Sequence, residues 1–132
     1  MHVYGTDYPT PDGTAVRDYV HVSDLAEAHV SALAYLIEGG TGTALNLGTG
    51  YGHSVRAVIE AIERVSDRTV PQQHAPRRPG DPPALVADAK RANSVLGWSP
   101  RHSDLDNIVG TALRWHTRSE ASAPAGHAEQ AA

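Results

Sequence analysis

Apolar residues recur at helical spacing in several stretches of the chain. Leu25, Ala28, His29, Ala32, Leu33, Leu36 and Ile37 fall on one face of a helix. Asp24 reads as its N-cap, with Glu27 in the capping-box position, and Gly39-Gly40 ends it. Val55, Val58, Ile59, Ile62 and Val65 form the stripe of a second helix that Ser54 can cap. Asp88 is placed to cap a short third helix that Gly97 stops. Leu105, Ile108, Val109, Ala112, Leu113 and His116 define a fourth. The connecting stretches read as strands. Val3 and Tyr4 begin one, Pro9, Pro11, Asp12 and Gly13 supply a turn, and Ala15–Val22 resumes extended chain. Ala44–Leu47 and Val70–Ala75 are further strand candidates. The pattern predicts an α/β fold of short strands with about four helices over residues 1–118. From Ser119 to Ala132 periodicity is lost, and a disordered tail is expected.

Composition narrows the setting. At 132 residues the chain reads as one small unit. It has no apolar run long enough for a membrane span, and no charged-then-apolar leader follows Met1. Cysteine is absent, so neither disulfides nor thiolate metal sites are expected, and the cytoplasm is the default compartment. A formal charge of −4 argues against a nucleic-acid partner. The eight histidines lack the i, i+4 spacing of a helical metal pair, so no metal is expected.

Three strings carry candidate chemistry. Gly48-Thr-Gly-Tyr-Gly52 lies between a strand candidate and a helix, where backbone N–H groups can face a pyrophosphate. The third glycine comes one residue early for a dinucleotide loop, and no acidic residue ends the next strand candidate. A tight turn that needs small residues is the better reading. Pro76-Arg-Arg-Pro-Gly-Asp-Pro-Pro83 offers two guanidinium forks suited to phosphate, with Asp81 able to accept from sugar hydroxyls. The alternatives for this string are a stiff linker or a proline-type peptide ligand. In Arg17-Asp-Tyr19, alternation puts Arg17 and Tyr19 on one strand face, with His21 beyond them. Asp18 then points the other way as a structural acceptor. An edge salt bridge at Arg17 is the competing explanation, His21 reads as packing, and His29 as a satisfied core histidine.

Taken together the strings resemble the UDP-glucose 4-epimerases of the extended short-chain dehydrogenase/reductase superfamily, in their C-terminal portion. The segment from Gly5 to His29, with Arg17-Asp-Tyr-Val-His-Val inside it, is similar to that family's signature. Leu45-Asn-Leu-Gly-Thr-Gly50, Pro76-Arg-Arg-Pro-Gly-Asp81, Ala87-Asp88 and Leu96-Gly-Trp98 follow in the family's order. The resemblance spans residues 3–116. It implies interconversion of UDP-glucose and UDP-galactose through a 4-keto sugar, with NAD as cofactor of the complete enzyme. It further implies that Arg17, Tyr19, Arg78 and Asp81 hold UDP, the arginines on the diphosphate and Asp81 on the ribose. Leu85 matches the position bordering the sugar. A leucine there implies good handling of UDP-glucose and poor but measurable handling of UDP-N-acetylglucosamine. The family is typically homodimeric.

One departure shapes the expectation for function. The family's catalytic base is a tyrosine followed four residues later by lysine, whereas Lys90 is the sole lysine here and Val86 precedes it by four. The family's glycine-rich NAD loop is missing too. The expectation is a truncated form that lacks the N-terminal cofactor domain, has no catalytic residue of its own, retains no NAD and is inactive alone. Its apolar faces centred on Leu33 and Ile59 are expected to lack partners, leaving the chain marginal or aggregation-prone. Two further readings stay open: a fragment of another nucleotide-sugar epimerase or dehydratase, and a stand-alone UDP-sugar-binding or interaction module.

Overall fold

The computed structural model describes residues 1–122, with side chains through residue 118. In chain order the elements are β1 (His2–Tyr4), β2 (Val16–Arg17), α1 (Val22–Ile37), β3 (His53–Ser54), α2 (Val55–Ser66), β4 (Gln73–Ala75), β5 (Ala84–Leu85), α3 (Lys90–Leu96) and α4 (Leu105–Ser122). The α/β architecture of short strands and four helices is as the pattern predicts. Helix α4 runs on to Ser122, and the rest of the expected tail lies outside the described residues.

Two small sheets organise the chain. Strand β1 pairs in parallel with β4, His2 opposite Gln73 and Tyr4 opposite Ala75. In the second sheet β2 lies between antiparallel β3 and parallel β5, so that Arg17 stands opposite both His53 and Leu85. The predicted strand at 70–75 is thus shorter than expected, and β5 was not foreseen. Ala44–Leu47 forms no strand, because no ladder partner lies beside it among the described residues. Its Leu45 and Leu47 instead pack on a cluster of Ala28, Ala92 and Trp98.

Helix α1 begins earlier than its sequence suggests. His21, not Asp24, is the N-cap, and its Nδ1 accepts from the Ser23 amide at 3.0 Å. Since Nδ1 accepts, Nε2 carries the proton and donates to Thr111 Oγ1 at 2.9 Å on α4. His21 is therefore a cap tying two helices together, and more than packing. Asp24 is turned inward and fully buried. Its Oδ1 accepts from the Arg101 and His102 amides at 2.9 and 3.1 Å, while the Trp98 indole donates to its carbonyl at 2.8 Å. Burial pushes the Asp24 carboxyl upward, but the bonds from Ser103, Arg101 and His102 outweigh it and hold the group below its ordinary value. His29 is exposed and donates through Nδ1 to Leu25 O at 2.7 Å, so it is no core histidine.

The other helices follow simpler rules. Ser54 caps α2 by accepting from the Ala57 amide at 3.0 Å. Asp88 sits one place before the α3 cap, Ala89, and accepts from the Lys90 amide at 3.0 Å. Gly97 closes α3 at φ 63°. Helices α2 and α4 meet through Ala61, Leu105 and Val109, flanked by Val58, Ile62 and Val65. Arg64 spans the same contact, with Nε donating to Asp106 Oδ2 at 3.1 Å. Ile59 is buried, which corrects the expectation that its face lacks a partner. Leu33 is 59% exposed, as that expectation had it.

Candidate functional site

The three-stranded sheet opens onto a cleft of about 610 Å³ lined by Arg17, Asp18, Asn46, Leu85, Val86 and Asp88 among others. Its floor is fixed by a short stretch of sequence. Asp18 takes the Thr49 amide at 2.9 Å, the Thr49 hydroxyl at 2.6 Å, the Gly50 amide at 3.1 Å and the Ala87 amide at 3.2 Å. Burial pushes the Asp18 carboxyl upward, yet these donors win and keep it ionised below the ordinary range. Asp18 is thus the structural acceptor that strand alternation indicates.

The same contacts decide the glycine string. The Thr49 and Gly50 amides, which a pyrophosphate would need, are already spent on Asp18. A Cβ at Gly48 would fall 2.5 Å from both Ala87 Cβ and Asp18 Oδ2. Gly50 holds φ 77°. Glycine is required here by crowding and by backbone conformation, and the string does not fit a dinucleotide phosphate.

Arg17 projects from β2 and forms a salt bridge with Asp81, both partly buried. The salt bridge weighed for Arg17 is therefore present, on the central strand and not at an edge, and its partner is the other residue singled out for ligand binding. The loop carrying Asp81 is held at both ends. Its Pro83 carbonyl accepts from the Val16 amide at 2.8 Å, and the Asp81 amide donates to Arg78 O at 3.2 Å across a turn in which Gly80 takes φ 78°. Arg78 is exposed, with its guanidinium 4.1 Å over the Tyr4 ring. Arg77 is spent differently. It lies 4.4 Å over the Tyr8 ring and donates from Nε to Asp7 Oδ1 at 2.8 Å. Its hydrogen bond to Asp7 pushes the Arg77 guanidinium pKa up and the Asp7 carboxyl down. Of the two adjacent arginines, Arg77 locks the loop to the turn at 5–14, and Arg78 is left facing outward.

Tyr19 follows β2 and is half-buried; burial raises its phenol pKa, with the Arg17 charge opposing. Leu85, on β5, is 61% exposed and stands in register with Arg17. Arg17 and Leu85 thus share one face of the sheet, with Asp81 joined to Arg17 and Arg78 at the far end of the Asp81 turn. Sequence reasoning missed Tyr4 as the ring beneath Arg78 and His53 as the neighbour of Arg17. Both were legible only through pairing, because neither belongs to a motif. Among the described residues no three His, Asp or Glu side chains converge to hold a metal. No described helix is long and apolar enough to cross a membrane.

Comparisons with known proteins agree with one another. Residues 1–110 match the family model described as GDP-mannose 4,6 dehydratase. The UDP-glucose 4-epimerase of Azospirillum brasilense is 52% identical over 98% of this chain and 39% of its own length. Among solved structures, the UDP-glucose 4-epimerase of Stenotrophomonas maltophila, with bound NAD and formylated UDP-arabinopyranose, is 46% identical with a TM-score of 0.88. That similarity covers 93% of this chain and 36% of the other. The Bifidobacterium longum enzyme in complex with NAD+ and UDP is 43% identical with a TM-score of 0.79, over 90% of this chain and 35% of its own. The chain spans about a third to two-fifths of the length of the curated relatives it matches. On the residue 1–110 match, and on identities near one-half, the chain belongs to this nucleotide-sugar family and, within it, corresponds to the C-terminal part of the UDP-glucose 4-epimerases.

Proposed function

We propose that this chain is the UDP-holding portion of an enzyme interconverting UDP-glucose and UDP-galactose. The observation that carries the reading is the meeting of Arg17, which lines the cleft, with Asp81 from 64 positions away in sequence. On this reading Arg17, Tyr19, Arg78 and Asp81 hold UDP, the arginines on the diphosphate and Asp81 on the ribose, and Leu85 borders the sugar. Arg17 and Asp81 satisfy each other, so neither partly buried charge is stranded. Arg78 is presented on an aromatic ring at a stiff, proline-bounded turn, which lowers the cost of ordering it on a phosphate. Support also comes from the relatives' structures that contain UDP or a UDP-sugar derivative.

Grip and chemistry are separable here. The sole lysine, Lys90, opens α3 beside Asp88, and none of the five tyrosines is followed by lysine four residues on. Together with the occupied amides of the glycine string, this supports a chain that neither retains NAD nor epimerises alone. When bound in the complete enzyme, NAD would supply reversible oxidation of the sugar C4 hydroxyl. The family reading also carries a cytoplasmic, homodimeric enzyme of galactose metabolism. The test is titration with UDP. Arg78→Ala is expected to weaken binding by about 2 kcal/mol, the scale of a charged hydrogen bond, and Arg78→Lys to recover part of that. Equal UDP affinity in all three proteins would reduce the loop to a linker.

A further inference from the structure

The row of side chains across the second sheet extends beyond the residues assigned so far. Arg17 is paired with Leu85 on one side and with His53 on the other. Directly paired residues stand on the same face of a sheet. The flanking residues of β3 agree. A Cβ on Gly52 would fall 2.3 Å from Val16 Cγ1 and 2.8 Å from Val86 Cγ2, and Ser54 Oγ donates to Asp12 Oδ2. Gly52 and Ser54 therefore belong to the packed face with Val16. Alternation turns His53, between them, to the face that carries Arg17 and Leu85. The imidazole is half-buried and has no hydrogen-bond partner among the described residues.

We propose that His53 is a further substrate-contacting residue, whose imidazole donates a hydrogen bond to the nucleoside side of a uridine diphosphate. The proposal rests on the function argued above. There the sugar lies at Leu85 and the diphosphate at Arg17. Neighbouring strands are spaced roughly 5 Å apart, so the row His53–Arg17–Leu85 spans about 10 Å. A nucleotide sugar laid along that row places its nucleoside-side phosphate at His53, with the ribose between His53 and Asp81. Those groups are hydrogen-bond acceptors, and a neutral imidazole offers one N–H donor. Leu85, on the opposite flank, offers none. The two ends of the row thus meet different halves of the ligand: a polar end for the nucleoside and an apolar end for the sugar.

The test divides the ligand into those halves. UMP carries the nucleoside with one phosphate, and glucose 1-phosphate carries the sugar with the other. In the full chain, His53→Ala is expected to weaken UDP and UMP by a similar factor, roughly threefold to tenfold, and to leave glucose 1-phosphate unchanged. His53→Gln keeps a donor and is expected to recover part of the loss. A second readout needs no loss of the side chain. In the wild-type chain the His53 ring proton signal in NMR, assigned by its absence from the His53→Gln spectrum, should move on adding UMP and stay fixed on adding glucose 1-phosphate. Unchanged UMP and UDP affinity in His53→Ala, or a ring signal that stays fixed at saturating UDP, overturns the proposal. If UDP does not bind, or Arg78→Ala binds it as well as wild type does, the reading of the whole site fails. Loss of the His53 effect alone leaves that reading standing.

Discussion

Helices α1 and α2 carry similar apolar stripes in sequence and meet opposite fates in the structure. The stripe of α2 is covered, with Ala61 fully buried, Ile59 nearly so, and α4 laid against it through Leu105 and Val109. Helix α1 packs only along one margin of its stripe, where Ala28 is buried beside Asp24. Its Val22, Val30, Leu33, Leu36 and Ile37 stand exposed along one face. Periodicity locates an apolar face. Whether that face is covered depends on what else the fold provides, and here only one of the two helices has a matching surface in the described residues.

The sharpest way to break this contrast is to truncate one residue on each helix. Ile59→Ala removes a side chain that is 2% exposed and is expected to cost about 2–4 kcal/mol. Leu33→Ala removes one that is 59% exposed and is expected to cost no more than about 0.5 kcal/mol. Urea midpoints measure both. Equal losses would mean that α1 is covered in solution.

Acid probes the packed side of α1. Asp24 has its carboxyl held below 3.8, the ordinary value, so it adds stability above that pH. That stability falls away as pH drops through the lowered value, because the unfolded chain binds the proton more readily. Asp12 and Asp18 are displaced in the same direction by bonds from Ser54 and Thr14, and from Thr49, Gly50 and Ala87, each against an upward push from burial. Stability is therefore expected to be flat above about pH 5 and to decline steeply below pH 4. Asp24→Asn should lower the plateau and shallow the decline. A decline of unchanged steepness in Asp24→Asn would remove this carboxylate from the account.

The exposed side of α1 calls for a gentler probe. An apolar stripe of five residues is expected to bind an environment-sensitive dye, and Leu33→Glu with Ile37→Lys should reduce the signal while leaving the urea midpoint nearly unchanged. A dye signal that survives the double substitution would locate the exposed surface elsewhere.

How much of this was legible in the sequence follows the same division between local and non-local causes. The existence of all four helices was readable, as were Ser54 as a cap and Gly97 as a stop, because those signals lie within a turn of one another. Asp24 looked like a cap because its own neighbourhood fits one. Its actual donors are 77–79 positions away, beyond any local signal. Ala44–Leu47 has strand-like residues and lacks a ladder partner, and β5 is two residues long with no periodicity to read. At the site, Arg17, Arg78, Asp81 and Leu85 were named from motif and resemblance. Their distinct local roles were not, since adjacent Arg77 and Arg78 differ only in what folds against them: Asp7 and Tyr8 for one, Tyr4 for the other. His53 needed the register of β2 with β3.

The proposed function has the chain hold the nucleotide without performing the chemistry. One assay addresses it most directly: the homogeneous 132-residue chain is incubated with UDP-galactose and NAD, and product is followed by chromatography against an Arg17→Ala/Arg78→Ala control. No UDP-glucose is expected above that control, while UDP is expected to bind the wild-type chain. Conversion to UDP-glucose that the double substitution abolishes would contradict it, because the catalytic groups would then lie within these residues.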